Sequence, residues 1–393
     1  MTAGGGLAGG GVAGGRDRAL DAFRGATVAA MILVNNPGSW SHLYAPLAHA
    51  PWHGCTPTDL VFPFFLFAVG ASLALTLPAL RALPGSAFSR RILQRCLVIF
   101  GVGLFLNAAP FVRWDEAGHL VARDADSLRI MGVLQRIALC FGVAAVIAWW
   151  GGLRAALAAS AALLLGYWAA MGVFAQGPDP YSLEGFFGTA LDRRVLGPGH
   201  LYQGEGVPFD PEGLASTLPA IAQVLLGFVI GSMLARRRED AAWLRRLLAV
   251  AALAVAVGLA WQWLLPFNKK IWTPSYVVFT TGLAAAAMGL AALALDGRRA
   301  DNVLVRGCEA FGRNALLMFA LSGFLPRLLS LWRLPDPSGA TAALTPMQWL
   351  YRQGFEPWFA DPRLASLLYA MTLMLAYGVL ARALDRRGLY WRA

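Results

Sequence analysis

Charged residues are scarce in this 393-residue chain. Asp, Glu, Lys and Arg make up 14% of the sequence and hydrophobic residues 58%, whereas a soluble domain carries about 25% charged residues. This balance excludes a soluble globular domain. The composition predicts an all-α integral membrane protein with many spans, so the lipid bilayer is the first expected partner.

Cysteine and lysine are also scarce, with four and two residues. The cysteines, at positions 55, 96, 140 and 308, have no metal-ligand spacing, and only Cys55 falls in a predicted outer loop. We therefore expect neither a metal site nor an internal disulfide. The sequence also lacks a nucleotide-binding glycine-rich loop, a nucleophile elbow and a haem signature.

The net charge of +11 comes almost entirely from arginine. In a soluble protein this charge would suggest a nucleic acid partner. Here most arginines lie in short segments between predicted spans, where they act as topology signals, so no nucleic acid is expected. If the N-terminus is cytoplasmic, the inner segments hold 20 Lys and Arg residues and the outer loops hold 11. This bias predicts that both termini are cytoplasmic.

Ten apolar segments approach the roughly 20 residues that a membrane span needs. They are residues 20–36, 59–80, 92–111, 130–150, 154–174, 214–234, 244–264, 272–295, 308–331 and 364–384. The short turn at Gly151 and Gly152 forces an antiparallel helical hairpin. The Gly-rich residues 1–18 are expected to be a disordered cytoplasmic tail, and residues 19–393 to form a single transmembrane domain.

The run from His49 to Asp59 is the most informative part of the sequence. Ionisable residues at a membrane boundary are costly unless they pair, meet water or do chemistry. Three interpretations are open. His49 or His53 can act as a general base whose ring a carboxylate orients, the two histidines and Asp59 almost complete a zinc site, or Asp59 simply caps the next helix. Pro51 and Gly54 argue against the helix that would align both histidines.

Other polar residues interrupt the apolar segments. Asn35 ends the first segment on the side of the histidine run. Arg136 lies inside the fourth segment, where it either holds helices together or binds an anion or carbonyl group, and the cost of intramembrane arginine favours the second. Arg24 and Arg313 lie near the inner face and are candidates for binding phosphates.

Two long outer loops, residues 175–213 and 332–363, are rich in aromatic and acidic side chains. Aromatic rings stack on sugar faces, so these loops can cover a sugar site. The alternative is an aromatic belt at the membrane interface. Lys269, at the outer start of the eighth segment, either contributes to the site or snorkels to the interface.

Seven motifs follow one another along the chain. They are Leu20–Gly25, Val34–Asn35, His49–Thr56 with Asp59–Pro63, Gly132–Arg136, Ser216–Ile221, Asn268–Tyr276 and Gly312–Leu316. In this order they resemble the heparan-α-glucosaminide N-acetyltransferase family of membrane acyltransferases, including its bacterial members. The resemblance covers nearly all of the chain.

The resemblance implies transfer of an acetyl group from cytoplasmic acetyl-CoA to an amino sugar across a bacterial inner membrane. His49 matches the family's active-site histidine and Asn35 the asparagine beside it, so both are predicted to be catalytic. His53 stands where the family commonly has asparagine and receives no role. The other predicted site residues are Trp52, Asp59, Arg136, Lys269 and Trp272 for the substrate, and Arg24, Arg313 and Asn314 for acetyl-CoA. A homodimer is compatible with the resemblance.

In the resulting hypothesis, His49 takes a proton from the sugar amine while Asn35 stabilises the oxyanion. A covalent acetyl-His49 step is an alternative route. A transporter for an amino sugar or cell-wall fragment is the second interpretation, because intramembrane polar groups and ten spans suit a permease. A non-catalytic membrane scaffold is the third.

Overall fold

The computed structural model describes residues 17–237, 242–296, 302–337, 339 and 343–391. Most of these residues are helical. In chain order the helices are α1 (Arg18–Asn35), α2 (Val61–Arg81), α3 (Gly85–Ala108), α4 (Val133–Val173), α5 (Phe187–Leu196), α6 (Leu214–Ala235), α7 (Trp243–Trp261), α8 (Pro274–Asp296), α9 (Val303–Arg313), α10 (Ala315–Leu329), α11 (Pro346–Gly354) and α12 (Pro362–Arg386). A short antiparallel hairpin of β1 (Val112–Trp114) and β2 (Leu120–Ala122), which the sequence did not indicate, connects α3 to α4.

Seven helices in the described ranges are long and apolar enough to cross a membrane: α2, α3, α4, α6, α7, α8 and α12. This finding confirms an all-α membrane protein, while the ten crossings and their direction stay a prediction. Of the predicted tail, residues 1–16 lie outside the described residues. Asp17 and Arg18 belong to the folded part, because Asp17 caps α1 by accepting a hydrogen bond from the N–H of Leu20.

The long helix α4 contains the predicted hairpin. Its 41 residues include Gly152, whose backbone is not helical (φ 60°, ψ −145°). Before this glycine, Arg136 lies over the ring of Trp272, and after it, Tyr167 donates a hydrogen bond to the carbonyl of Ile271. In a straight helix residues 136 and 167 would be about 46 Å apart. Their contacts with two adjacent residues confirm that the chain folds back at Gly152.

The predicted span 308–331 is wrong as a single helix. It is divided between α9 and α10 at Asn314, which has φ −120° and ψ 31°. The buried Asn314 side chain instead donates to the carbonyl of Leu389 and accepts from the N–H of Trp391. These tertiary hydrogen bonds stabilise the break. The 15 residues of α10 extend about 22 Å, less than the roughly 30 Å of a bilayer core.

Glycines let the central helices α2 and α6 touch. A Cβ atom on Gly70 would lie 1.9 Å from the carbonyl oxygen of Val224, and one on Gly227 would lie 2.3 Å from that of Phe67. Such close approach is typical of membrane helices, because lipid provides no hydrophobic drive for their association and van der Waals packing must supply it. This pair forms the centre of the bundle.

The long connections between helices meet at one end of the bundle, which we call the loop end. Hydrogen bonds join the connection after α1 to those before α6 and α8, from Trp52 to Tyr181 and from Gly54 to Phe267. The start of α1, the end of α2 and the turn inside α4 lie at the other end, which we call the opposite end. The candidate site residues divide between these two ends.

Candidate active site

His49 and Asp59 are the centre of the candidate site, at the loop end. Nδ1 of His49 lies 2.7 Å from Oδ1 of Asp59. The aspartate side chain is 2% exposed and the histidine side chain 41% exposed. An ionised carboxylate only accepts hydrogen bonds, so Nδ1 carries the proton and donates it. Nε2 of the neutral ring then keeps its lone pair, as a general base requires.

Local sequence holds Asp59 in place. Thr56 and Asp59 form a capping box around the turn Pro57–Leu60 that leads into α2. Oδ2 of Asp59 accepts hydrogen bonds from the N–H groups of Ala50 (3.1 Å) and Thr56 (3.0 Å), and the hydroxyl of Tyr276 donates to the Asp59 carbonyl. The carboxylate therefore caps the helix with one oxygen and binds His49 with the other.

His53 lies apart from this pair. Its Nδ1 is 3.5 Å from the amide nitrogen of Asn268, and burial lowers its pKa although the charge of Asp179 acts in the opposite direction. Burial and nearby Asp59 raise the pKa of the Cys55 thiol to about 12, so this sulfur is a poor ligand and nucleophile. Among the residues that the structure describes, no three His, Cys, Asp or Glu side chains are grouped to hold a metal.

The structure places Lys269 beside the pair. Its Nζ lies 3.2 Å from Nδ1 of His49 and 3.5 Å from Oδ1 of Asp59. Lys270 points elsewhere and forms a 2.6 Å salt bridge with Glu205. The two lysines of the chain therefore have different surroundings, and Lys269 faces the candidate catalytic groups instead of the lipid interface.

Trp52 packs against the two connections that lie before and after α5. Its Nε1 donates to the carbonyl of Tyr181 at 2.8 Å. The centroid of the Trp52 ring lies 5.7 Å from that of Phe209. Nζ of Lys270 lies 5.7 Å from the centroid of the Trp52 ring. Protein groups thus fix the ring, and its role in substrate binding stays a prediction.

Arg136 and Trp272 are buried in the protein interior. Nη2 of Arg136 donates to the carbonyl of Pro211 at 2.7 Å and to the hydroxyl of Ser216, so the guanidinium holds the start of α6. Its Cζ lies 5.1 Å from the centroid of the Trp272 ring. Nε and Nη1 of Arg136 and Nε1 of Trp272 have no hydrogen-bond partner among the residues that the structure describes. Unpaired buried donors are costly, so the binding of a carbonyl or anion ligand by Arg136 stays a prediction.

Asn35 is the last residue of α1 and its side chain is exposed. Within the described residues that side chain makes no hydrogen bond, either to His49 or to another group. The predicted role of Asn35 at the oxyanion stays a prediction.

Arg24 and Arg313 lie together at the opposite end, inside an ionic cluster. Arg24 pairs with Asp21 at 2.7 Å. Arg313 pairs with Asp385 at 2.9 Å and with Glu309 at 3.1 Å. The cluster joins α1, α9 and α12, which is the structural role open to intramembrane charges. Both arginines already have carboxylate partners.

Sequence reasoning gave no role to Thr56, Tyr276 or Glu205. Thr56 could have been recognised, because Thr-x-x-Asp resembles the capping-box pattern at a helix start. Tyr276 reaches Asp59 across 217 residues and Glu205 reaches Lys270 across 65 residues. No local pattern reports such distant contacts.

The chain is similar to known proteins over most of its length. Residues 16–265 match the family described as heparan-alpha-glucosaminide N-acetyltransferase, catalytic. The heparan-alpha-glucosaminide N-acetyltransferase of Homo sapiens is 28% identical over 331 residues, which cover 68% of this chain and 47% of the relative. That of Mus musculus is 26% identical over 321 residues, which cover 67% and 46%. The chain spans about half the length of these curated relatives.

The family match covers more than half of the chain and includes His49 and Asp59. Lys269 and Trp272 follow directly after the matched range, and the structure brings Lys269 back to the matched pair. The matched sequence and the site therefore coincide, and the chain belongs to the heparan-alpha-glucosaminide N-acetyltransferase catalytic family.

Proposed function

We propose that the protein is a transmembrane acetyltransferase that moves an acetyl group from acetyl-CoA to the amine of a glucosamine-type sugar. The observation that carries this proposal is the pair at the loop end, in which a buried Asp59 binds one nitrogen of a half-exposed His49. The family, and the N-acetyltransferase names of the human and mouse relatives, support the reaction class.

His49 transfers a proton from the amine to the sulfur in this reaction. The amine nitrogen attacks the thioester carbonyl, a C–N bond forms and the C–S bond breaks. Nε2 of His49 takes the proton that the amine loses and delivers it to the sulfur, so the products are an amide and a thiol and the ring ends neutral. Asp59 stabilises the imidazolium between these transfers. Asn35, which ends α1 at the loop end, is the proposed hydrogen-bond donor to the oxyanion.

The donor path that we propose follows α2. Phe65, Val69 and Ser72 are partly exposed and, spaced four and three residues apart, share one face of the helix. Arg24 at the opposite end reaches this face, with Nη1 3.4 Å from the Ser72 hydroxyl. Ser72 is about 20 Å along the helix axis from Asp59, which is less than the roughly 30 Å bilayer core.

Arg24, Arg313 and Asn314 are proposed to hold the phosphates of the donor. Guanidinium groups suit phosphate, but Asp21 and Asp385 pair with the two arginines here, and the Asn314 amide is bonded near the C-terminus. A phosphate at this end must therefore take arginine N–H groups away from carboxylates.

The proposed location is a bacterial inner membrane, crossed about ten times, with both termini in the cytoplasm. The excess of inner over outer Lys and Arg residues supports this orientation. It puts the loop end, and therefore His49, on the periplasmic side. A homodimer is compatible with this arrangement.

Proteoliposomes with labelled acetyl-CoA and glucosamine test the function. Wild type is expected to form N-acetylglucosamine, and His49→Ala to form none. His42→Ala is the matched control, because His42 is an exposed histidine of the same connection whose contacts are with Ser39 and Ser41. Equal turnover by His49→Ala and wild type would contradict the proposal. Glucosamine uptake without any acetyl product would favour a transporter instead.

A further inference from the structure

Lys269 and His49 share one carboxylate oxygen. Oδ1 of Asp59 lies 2.7 Å from Nδ1 of His49 and 3.5 Å from Nζ of Lys269. The two nitrogens are themselves 3.2 Å apart. One buried anion therefore faces two groups, an ammonium and an imidazole ring. The ring becomes positively charged whenever it takes a proton.

Nδ1 of His49 does not serve both neighbours at once. While its proton points to Asp59, Nδ1 has no lone pair for Lys269, so the 3.2 Å approach is a contact between a cation and an N–H group. When Nε2 takes a second proton, two like charges meet at this distance. Like charges at this distance repel each other.

The loop that carries Lys269 has a fixed conformation. Oδ1 of Asn268 accepts hydrogen bonds from the N–H groups of Lys270 (2.8 Å) and Ile271 (3.1 Å). Trp272 is 1% exposed and has a φ of 52°, a backbone region that residues with bulky side chains rarely adopt. Strained backbone of this kind persists where the surrounding structure over-determines it. The backbone that carries Lys269 is thus fixed by the residues on both sides of it in the sequence.

Charges from several elements face Lys269. Asp59 precedes α2 and Glu212 precedes α6, and both attract the ammonium, while the Cys55 thiol contributes a weaker effect. Burial is the largest influence and lowers the pKa of Lys269, with the two carboxylates acting against it. The ammonium therefore loses its proton at a lower pH than an ordinary lysine.

We propose, building on the function above, that Lys269 is a positioning residue that controls where the proton on His49 goes. Its ammonium shares Asp59 with the imidazole and repels the imidazolium. The proton taken from the amine is thereby driven on to the leaving sulfur, so that C–S cleavage ends in a thiol.

A pair of acetyl thioesters tests this role. One has an aliphatic thiol, as in acetyl-CoA, and its sulfur needs a proton to leave. The other has an aryl thiol, whose thiolate leaves without one. Lys269→Met is expected to lower kcat for the aliphatic thioester by about tenfold or more and for the aryl thioester by less than about twofold, because only the first needs general acid catalysis.

Two further variants control the experiment. Lys269→Arg keeps the charge and is expected to restore the wild-type ratio of the two rates. Lys270→Met removes the same charge one residue later and is expected to change both rates by the same factor. If Lys269→Met slows both thioesters equally, the proposal is overturned while the acetyl transfer itself stands. If wild type transfers neither acetyl group, the function proposed above fails first.

Wild type alone provides a test that needs no folded variant. As the pH rises from neutral through the ordinary lysine pKa of about 10.4, Lys269 loses its proton before an ordinary lysine does. The aryl-to-aliphatic rate ratio is then expected to rise severalfold. A ratio that stays constant over this range overturns the role of Lys269.

Discussion

The loop end and the opposite end both collect buried charges, but they balance them differently. At the opposite end Arg24 and Arg313 each have a carboxylate partner. At the loop end a single carboxylate, Asp59, faces both an imidazole and an ammonium. Arginine keeps its proton in proteins, so the ion pairs of the opposite end hold helices in place, whereas an imidazole and an ammonium can exchange protons. The kind of cation, more than the number of charges, separates the candidate site from the framework.

Asp59→Asn is expected to have the largest effect, because it removes the anion that faces both His49 and Lys269. The new amide oxygen still accepts from Ala50 and Thr56, but the side chain no longer stabilises the His49 imidazolium or its tautomer. Turnover is expected to fall by about 10³-fold or more, with thermal stability nearly kept. Initial acetyl-transfer rates and thermal unfolding of one preparation check this. Wild-type turnover in the variant would show that His49 works without Asp59.

Arg313→Met removes a cation from the ionic cluster at the opposite end and is expected to act mainly on stability. It leaves Asp385 and Glu309 without this partner. Removing one member of a fully buried ion pair costs about 3–5 kcal/mol, and because a quarter of the Arg313 side chain is exposed, we expect about 2 kcal/mol here. Denaturation in detergent measures this loss.

The double variant Arg313→Met with Asp385→Asn separates the two roles of this arginine. It is expected to recover part of the lost stability, because no unpaired Asp385 carboxylate is left. If Arg313 also holds donor phosphates, KM for acetyl-CoA stays raised in both variants. An unchanged KM would remove Arg313 from the donor site and leave the cluster purely structural.

Asp192 on α5 sharpens the comparison within the loop end, because this buried carboxylate forms no ion pair in the described part of the chain, whereas Asp59 faces His49 and Lys269. Oδ1 of Asp192 accepts from the N–H of Leu214 at 2.9 Å, at the start of α6. Burial, and to a lesser extent Asp210, raise its pKa to about 7. In the unfolded chain it titrates near 3.9. The folded protein therefore binds the extra proton, and the stability it contributes is lost as the pH rises through about 7.

Asp192→Asn is expected to flatten this pH dependence. Wild type should lose about 1–2 kcal/mol of stability between about pH 5 and pH 8 through Asp192, and the variant should not. Thermal unfolding at both pH values measures the difference. Asp179→Asn, in the same connection, is the control and should follow wild type. Parallel curves for wild type and Asp192→Asn would show that this carboxyl does not titrate in that range.

Cys55→Ser is expected to have the smallest effect, although Cys55 lies between His49 and Asp59 in the sequence. The pKa of its thiol is raised to about 12 by burial and by Asp59, so almost none of it is thiolate at neutral pH. Turnover should change less than about twofold, and iodoacetamide at about pH 8 should leave Cys55 unmodified in mass spectra. Rapid alkylation of Cys55, or loss of turnover in the variant, would place a sulfur nucleophile in the site.

Features that depend on nearby residues could be predicted from the sequence. The turn at Gly152 follows from two glycines between apolar runs, and the pairing of His49 with Asp59 lies within one connection. Charge scarcity alone indicated the membrane. Each of these needs only a short stretch of chain or the overall composition.

Features that depend on distant residues could not be read in the same way. Asn314 interrupts a continuous apolar run, because its amide finds partners at Leu389 and Trp391 instead of the helix. Asn35 was grouped with His49 by position, yet among the described residues no hydrogen bond joins the two. The partner of Arg313 on α12, Asp385, lies 72 residues away, so the sequence did not show this ion pair.

The positions of the two lysines make the protein suitable for labelling with amine reagents. They are the only lysines in the sequence, they are adjacent, and both side chains are about one-fifth exposed at the loop end. Apart from the chain terminus, every primary amine in this sequence therefore lies at the loop end, and that of Lys269 lies beside the candidate pair. A membrane-impermeant amine reagent, added to either side of sealed vesicles, would report in one experiment which way the protein faces and whether its site is covered.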